Sequence, residues 1–249
     1  MSRGFYALTS GMLTQQRKID ISSNNISNLN TAGYKKEQAV TTNFGSLFIN
    51  KYKQDGINEE AVPLDNVSVI RTMAENNTIH SQGTLEQTGR KIDFAIMGAG
   101  FFSVDNGREI LYTRNGSFNI DNEGYLVLQG AGRVQGEYGE IYVGTDEFEF
   151  NNGIIYVDGE EADRLAVYDF LDYNSLNKTG EGLYTSTEDP ELVENPEVLN
   201  STIERSNVDV TKEMTDIMSS QRALQTAAQA FKIYDMIQDK AVNEIGKIN

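Results

Sequence analysis

Apolar side chains recur every three or four positions near the start of the chain, which is the spacing of one face of a helix. The spacing holds without a break over eight positions, six of them apolar: Phe5, Leu8, Met12, Gln15, Ile19, Ser22, Ile26 and Leu29. The pattern predicts a helix with a coiled-coil-like stripe, roughly 37 Å long at about 1.5 Å per residue. We expect the helix to end at Asn30–Gly33, where Gly33 can take the left-handed conformation that closes a helix.

A second stripe of the same spacing lies near the other end of the chain. It follows Ser206–Asp209, which has the form of a capping box at a helix start. The stripe continues to the last residues without an internal proline, and its first seven positions are Val210, Met214, Ile217, Gln221, Leu224, Ala228 and Phe231. The pattern predicts a helix of about 35 residues.

The middle of the chain shows alternation instead, which is typical of short strands. Strands are predicted at Ile92–Ile96, Phe101–Val104, Ile110–Tyr112, Phe118–Ile120, Tyr125–Leu128, Ile141–Val143 and Ile154–Val157. Hairpin-type turn residues separate them at Asp105–Gly107, Asn115–Gly116, Asp121–Gly124, Asn151–Gly153 and Asp158–Gly159. Residues 44–68 and 174–200 are polar, contain all three prolines and are predicted as loops or irregular connections.

Together the patterns predict an α+β protein in three parts: a helix in residues 1–35, a β-rich domain in residues 36–204 and a helix in residues 205–249. We expect the two helices to pair in a coiled-coil-like bundle. Polar residues in the stripes, Gln15, Ser22 and Gln221, weaken an isolated pair of helices but permit hydrogen bonds inside a larger bundle. Neighbouring subunits would then complete the burial; the alternative is a monomer whose ends pair only with each other.

Composition excludes several classes of function. The chain has no cysteine and a single histidine, His80, which removes thiolate metal sites and the usual imidazole clusters of catalytic zinc and leaves His80 as the one possible partner for a catalytic serine. We interpret His80 as an ordinary surface residue. The net charge of -16 argues against nucleic acid or an anionic membrane as partner. Residues 1–45 carry five basic and two acidic side chains and residues 204–249 six and seven, so the middle has a net charge of -18 and is expected to face water.

Three blocks of residues resemble the flagellar rod and hook proteins of bacteria. The first is an asparagine-rich helix end followed by a Gly-Tyr-Lys motif: Asn24, Asn25, Asn28, Thr31, Gly33, Tyr34 and Lys35. The second spans Gln82–Gly89, Ile92–Phe102 and Tyr112–Phe118, and includes Gly98, Gly100, Phe101 and Phe102. The third spans Ile203–Asp209 and Glu213–Ala223, and includes Ser206, Asn207, Asp209, Gln221 and Arg222. Ala32, Ala99 and Leu224 stand where the family often has proline, aspartate and tyrosine.

The resemblance implies a structural subunit of the basal-body rod, without enzymatic activity or cofactor, that polymerises with itself and with other rod and hook subunits. It also implies export by the flagellar type III apparatus without a cleaved signal peptide. A length of 249 residues leaves no room for the outer domain of a hook subunit, while proximal and distal rod types stay open. The predicted subunit contacts are Phe5, Leu8, Met12, Ile19, Ile26, Leu29, Val210, Met214, Ile217, Leu224, Ala228 and Phe231.

Other motifs have simpler interpretations. Gly98–Gly100 lacks the third glycine and the following helix of a dinucleotide loop. Asp121–Gly124 lacks the downstream glutamate of a calcium loop, so we interpret it as a turn. Pairs such as Glu147 and Glu149 are compatible with a glycosidase, but 37 acidic residues make such pairs expected on a solvated face. The alternatives to a rod subunit are a secreted β-rich carbohydrate enzyme or binding protein, and a cytoplasmic helical adaptor.

Overall fold

The computed structural model describes residues 3–43, 50–51, 62–63, 71–145, 147–151, 153–180 and 182–245. The chain divides into two compact units. We call Met1–Ile26, Glu37–Thr78 and Asp209–Asn249 the helical unit, and Ser27–Lys36 with Ile79–Val208 the β unit. The prediction of two helices flanking a mainly β central region is confirmed.

The helical unit contains the two long helices and four strands. Helix α1 runs from Arg3 to Ser27 and helix α2 from Val210 to Ile245. The strands are β1 (Glu37–Asn43), β2 (Asn50–Lys51), β3 (Val62–Pro63) and β4 (Arg71–Thr78). Strand β1 pairs with β4 and β2 with β3, both antiparallel. Most of the predicted loop at 44–68 lies outside the described residues.

Sixteen strands are described in the β unit. They are β5 (Leu85–Gln87), β6 (Phe94–Ile96), β7 (Phe101–Asp105), β8 (Ile110–Thr113), β9 (Asn119–Ile120), β10 (Leu126–Leu128), β11 (Gly132–Val134), β12 (Glu149–Asn151), β13 (Ile154–Val157), β14 (Glu160–Arg164), β15 (Val167–Asp169), β16 (Leu176–Lys178), β17 (Leu183–Ser186), β18 (Glu191–Leu192), β19 (Val198–Asn200) and β20 (Thr202–Glu204). The prediction of irregular structure at 174–200 is wrong, because β16 to β19 fall in it. The predicted strand Ile141–Val143 forms only an isolated bridge, between Tyr125 and Tyr142.

One antiparallel sheet dominates the β unit. Its strand order is β16-β17-β8-β7-β11-β10-β9, and β15 pairs with both β7 and β18. A three-stranded sheet, β12-β13-β14, and the pairs β19-β6 and β20-β5 complete the described strands. The last two pairs join the C-terminal end of the unit to strands that lie more than 100 residues earlier.

Two groups of buried apolar side chains form the core of the β unit. The larger one draws on strands of both main sheets and centres on the fully buried rings of Phe94, Phe102 and Phe118. The smaller one is aromatic and consists of Phe101, Tyr112, Phe170 and Tyr184. Full burial of one such ring contributes about 1.5–3 kcal/mol, so these groups account for much of the stability of the unit.

Candidate functional site

Helix α1 ends earlier than its sequence predicts. The helix stops at Ser27, and Asn28 to Asn30 form a turn in which the Thr31 hydroxyl donates to Asn28 Oδ1 at 3.2 Å. Leu29 therefore lies beyond the helix. Gly33 has the predicted positive φ of 68°, but it lies six residues past Ser27 and so does not close the helix.

The predicted stripe of α1 is only half buried within the chain. Phe5, Leu8, Met12, Ile19 and Ile26 all have intermediate exposure. The fully buried residues of the helix lie mostly on the neighbouring stripe and include Thr14, Ile21 and Asn25. Asn25 exchanges two hydrogen bonds with the Glu37 backbone, at 2.9 and 3.0 Å, and so attaches the helix to the start of β1.

The predicted stripe of helix α2 is also only partly buried within the chain. Val210, Ile217, Leu224, Ala228 and Phe231 are half buried. Met214 is more than half exposed and Gln221 is exposed, whereas the fully buried positions are Glu213 and Ser220. The inward face of α2 thus passes through small and polar residues as well as the predicted large ones.

Phe5 of α1 and Phe231 of α2 are in contact. Their ring centroids are 4.9 Å apart and the ring planes meet at 49°. Both residues belong to the predicted stripes. Coiled-coil pairing along the full length of the helices stays a prediction.

Both helices expose large apolar side chains. Six of them are more than half exposed: Leu13, Met214, Met218, Ile233, Met236 and Ile237. Five of the six lie on α2, in one pair near its start and a group of three near its end. Exposed apolar side chains grouped in this way are typical of surfaces that bind another protein.

The first turn of α2 is capped by Asp209. Its Oδ1 accepts hydrogen bonds from the backbone N–H groups of Thr211 and Lys212, at 2.9 and 3.2 Å. This is the geometry of an N-cap residue, which satisfies donors that a helix leaves unpaired at its start. The Ser206 hydroxyl instead accepts from the Val208 N–H, so the cap is Asp209 and not Ser206.

Three buried charges lie at the centre of the β unit. Lys35 Nζ lies 2.5 Å from Glu204 Oε1, and Arg114 Nη1 lies 3.5 Å from Glu204 Oε2. All three side chains are at least nine-tenths buried. We call these residues, Lys35, Arg114 and Glu204, the clasp. One comes from each of the three blocks or their margins, and sequence analysis predicted only Lys35.

Backbone groups complete the hydrogen bonding of Glu204. Its Oε1 accepts from the Gly83 N–H at 2.7 Å, and its backbone carbonyl accepts from the Gly33 N–H at 2.7 Å. Both positions require glycine, because backbone atoms of another segment lie too close to leave room for a side chain. A Cβ at Gly33 would lie 2.2 Å from the Arg114 carbonyl carbon, and one at Gly83 would lie 1.9 Å from the Arg205 carbonyl oxygen.

Residues 79–83 lie between the two ends of the β unit. On one side, Ile79 N–H donates to the Lys36 carbonyl at 2.9 Å and the Ser81 carbonyl accepts from Lys35 Nζ at 2.9 Å. On the other side, Asn207 Nδ2 donates to the carbonyl oxygens of Ile79 and Ser81, at 2.7 and 3.0 Å. Asn207 Oδ1 also accepts from the Lys36 N–H at 2.8 Å. The signature residues Lys35 and Asn207 thus hold the same short segment.

Burial has a clear electrostatic effect on the clasp. Two cations share one carboxylate, which leaves one positive charge uncompensated among these residues. Desolvation lowers the pKa of Lys35 below its usual value, and the neighbouring Glu204 opposes that effect. Desolvation likewise lowers the pKa of Arg114, whose Nη2 donates to the Gly98 carbonyl at 2.7 Å.

His80 is partly exposed and lies against three aromatic rings, so it is not the freely exposed surface residue that the sequence predicts. Its ring centroid lies 5.0 Å from that of Tyr173, 5.6 Å from Tyr184 and 5.8 Å from Phe101. Desolvation, with Lys35 and Arg114 as further causes, lowers the pKa of His80 to about 4. Desolvation by burial, together with the 2.8 Å hydrogen bond that its hydroxyl donates to Asp169 Oδ1, raises the pKa of Tyr173 to about 12.

The structure brings together some signature residues and separates others. Tyr34, Phe101 and Phe102 are buried in the β unit. Gly98 and Gly100 have positive φ angles, and a Cβ at Gly100 would lie 2.5 Å from Val167 Cγ1. Asn24, Gln221 and Arg222 are exposed on the helices. In the part of the chain that the structure describes, no group of acidic or histidine side chains could hold a metal ion, and no helix is long and apolar enough to cross a bilayer.

Half-exposed apolar helices, combined with a β unit held by buried charges, define a structural protein of the kind that assembles with other subunits. Three family models match the chain. They are the flagella basal body rod protein model at residues 5–35, the flagellar hook protein FlgE/F/G D1 domain at residues 95–160 and the flagellar basal body rod FlgEFG protein C-terminal model at residues 199–244.

Full-length relatives agree with these matches. The chain is 30% identical to the flagellar basal-body rod protein FlgG of Bacillus subtilis, over 98% of this chain and 99% of the relative. It is also 30% identical to FlgF, a basal-body rod protein of Caulobacter vibrioides, over the whole of both chains. The flagellar hook protein FlgE of Treponema pallidum is 34% identical, but over only 55% of this chain and 30% of the relative. The chain belongs to the family of flagellar basal-body rod proteins.

Proposed function

We propose that this chain is a structural subunit of the flagellar basal-body rod that polymerises through α1 and α2 with copies of itself and with other rod and hook subunits. The observation that carries the proposal is the set of exposed apolar side chains on the helices of a chain whose relatives are rod proteins. The match to the hook protein covers less than a third of that relative, which favours a rod subunit over a hook subunit. The relatives named above are all flagellar, and none supports the carbohydrate-binding alternative.

The structure indicates which substitutions test assembly without disturbing the monomer. Leu8, Ile19, Ile217 and Leu224 are half buried within the chain, so aspartate there would alter folding as well as assembly. Met236 and Ile237 are exposed, so Met236→Asp with Ile237→Asp removes only an outward apolar surface. We expect this variant to keep the circular dichroism spectrum of the native chain and to lose assembly, seen as missing rods by electron microscopy and as lost motility.

The matched control is Leu171→Asp, which replaces a still more exposed leucine in the β unit. We expect rods and motility to be normal with this variant. Normal rods with the double helix variant, or equal loss with both variants, would contradict the role of the helices.

Accessibility before and after assembly gives a second test. The chain has no native cysteine, so Leu13→Cys and Glu147→Cys each introduce a single thiol at an exposed position. Thr14 is unsuitable because it is buried within the chain. We expect both thiols to react with a bulky maleimide in the monomer and only the one at 147 to react in rods. Equal labelling of both in rods would argue against burial of α1 on assembly.

We also infer that the subunit is located in the basal body and reaches it through the flagellar type III apparatus, without removal of a signal peptide. Membership of the rod family supports this proposal. In a strain that lacks the export ATPase, the subunit should remain inside the cell. Edman sequencing of the subunit from purified basal bodies should find an N-terminus at Met1 or Ser2, and one that begins many residues later would overturn this inference.

A further inference from the structure

We propose that His80 is an acid sensor of the clasp: when its ring takes up a proton, it adds a third positive charge near Lys35 and Arg114, whose one carboxylate partner is Glu204, and the segments that lead to α1 and α2 separate from residues 79–83. This inference concerns the β unit alone and does not depend on the proposed assembly role.

The position of His80 in the chain is the first argument. Its neighbours Ile79 and Ser81 supply the backbone groups that Lys35, Lys36 and Asn207 bind. Gly83, three residues on, donates to Glu204. A movement of the His80 ring therefore acts directly on the segment that both ends of the β unit hold.

The surroundings of His80 are the second argument. The ring lies against the rings of Phe101, Tyr173 and Tyr184, and none of these can act as counterion for an imidazolium while the phenols are protonated. Lys35 and Arg114 add positive charge, and the one carboxylate of the clasp, Glu204, already serves both of them. Asp169 is hydrogen-bonded to Tyr173. Among the described residues, the buried His80 Nδ1 has no hydrogen-bond partner.

The sign of the pH effect follows from proton binding. In the closed clasp the pKa of His80 is lowered to about 4, whereas an opened clasp exposes the ring and restores the ordinary value of 6.5. Between these two values the open state binds more protons, so a falling pH favours opening. Two states with these pKa values give an increase of about 30-fold in the open population at pH 5 relative to pH 7.5. Ordinary aspartate and glutamate side chains, with pKa values of about 3.9 and about 4.3, are still mostly ionised at pH 5, so an ordinary carboxylate changes its charge less than His80 between pH 7.5 and pH 5.

Hydrogen exchange of the full chain, followed by mass spectrometry at pH 7.5 and pH 5, tests the proposal. After correction for the intrinsic pH dependence, we expect the protection factors of peptides that contain Gly33 or Gly83 to fall about 30-fold at pH 5. Peptides from β13 and β14, strands that contain neither a clasp residue nor one of the rings around His80, should keep theirs. His80→Phe keeps an aromatic ring in the same enclosure but cannot titrate, and we expect it to abolish the fall.

Two outcomes would overturn the proposal. One is the same fall in the His80→Phe variant; the other is an equal loss of protection in β13 and β14, which would show general acid unfolding. Should His80→Phe not fold, the native chain still decides the matter, because its only histidine gives one unambiguous NMR titration. A pKa of 6 or more for His80 in the folded chain would refute the sensor.

Discussion

The two units of this chain differ in how many of their large apolar side chains they bury. In the β unit, large apolar side chains are buried in two groups that include Phe94, Phe101 and Phe102. In the helical unit, Ile21 is the only apolar side chain that is fully buried among those the structure describes, while residues such as Leu13 and Ile237 are more than half exposed. The β unit therefore has its own core, although Leu171 is exposed on its surface, and we propose that the exposed apolar side chains of the helices bind partner subunits. Residues of a family signature can form the core of the subunit or lie on its surface, and the exposed fraction of each side chain distinguishes these two cases.

The strongest test of this contrast is to remove the charge at the centre of the β unit. Glu204→Gln keeps the shape of the side chain but leaves Lys35 and Arg114 without a counterion. Loss of one partner from a buried ion pair typically costs 3–5 kcal/mol, so we expect the free energy of unfolding of the β unit to fall by about 3–5 kcal/mol in urea denaturation followed by near-UV circular dichroism. Adding Lys35→Met should restore part of the loss.

Glu86→Gln provides the control for that substitution. Glu86 pairs with Arg205 on the surface of the same unit, where both side chains are about half exposed. Exposed pairs contribute about 0–1 kcal/mol. A loss at Glu204 no larger than the loss at Glu86 would show that the clasp is not a stabilising centre.

The next largest effects are expected from glycine-to-alanine substitutions, which should change the stability of the two units in opposite directions. Gly83→Ala places a Cβ against the Arg205 carbonyl oxygen, and such overpacking typically costs about 1–3 kcal/mol. Gly11 lies inside α1 with nothing within 4 Å of the added Cβ. Because alanine favours helix more than glycine, Gly11→Ala should stabilise the helical unit by up to about 1 kcal/mol. Thermal unfolding of both variants measures the difference, and effects of the same sign would break the contrast.

The cap of α2 has a smaller expected effect. Asp209→Ala removes the acceptor for the Thr211 and Lys212 N–H groups and should cost about 1 kcal/mol. Reduced helicity at 222 nm and a lower melting temperature would report it. Asp216→Ala, at an exposed position inside the same helix, should leave both readings almost unchanged.

The smallest effect is expected at the exposed face of α2. Ile237→Ser removes an apolar side chain that the monomer does not bury, so the free energy of unfolding should change by less than about 0.5 kcal/mol. Chemical denaturation of the monomer provides the measurement. A loss above 1 kcal/mol would mean that the monomer itself uses this face, and the contrast between the units would weaken.

The helices could be predicted from sequence because a long stripe repeats the same spacing many times. The inward register of α2 could not, since hydrophobicity favours Met214 over its buried neighbour Glu213. Strands β16 to β19 were missed for a related reason. They are two to four residues long and rich in polar side chains, so pairing with a neighbouring strand defines them rather than any alternation.

The clasp left almost no signal in the sequence. Lys35 lies 169 residues from Glu204, and Arg114 lies 90 residues from it. No spacing rule connects residues so far apart, and nothing in the pattern around Glu204 marks it as buried. The signature blocks were the one usable indication, because Lys35, Arg114 and Glu204 all fall within them. His80 was misjudged since a polar neighbourhood in sequence says little about neighbours in space.

The long separation between Lys35 and Glu204 also bears on how the chain folds. Strands β19 and β20 pair with β6 and β5, so the β unit can close only after residue 204 is available. A chain that emerges N-terminus first therefore has its first helix and most of its strands exposed before the final pairing forms. Contacts of such high sequence separation slow folding, because the entropy of closing the loop is lost before the contact is gained. Completion of the chain, rather than any local segment, thus sets the moment at which this subunit acquires its fixed shape.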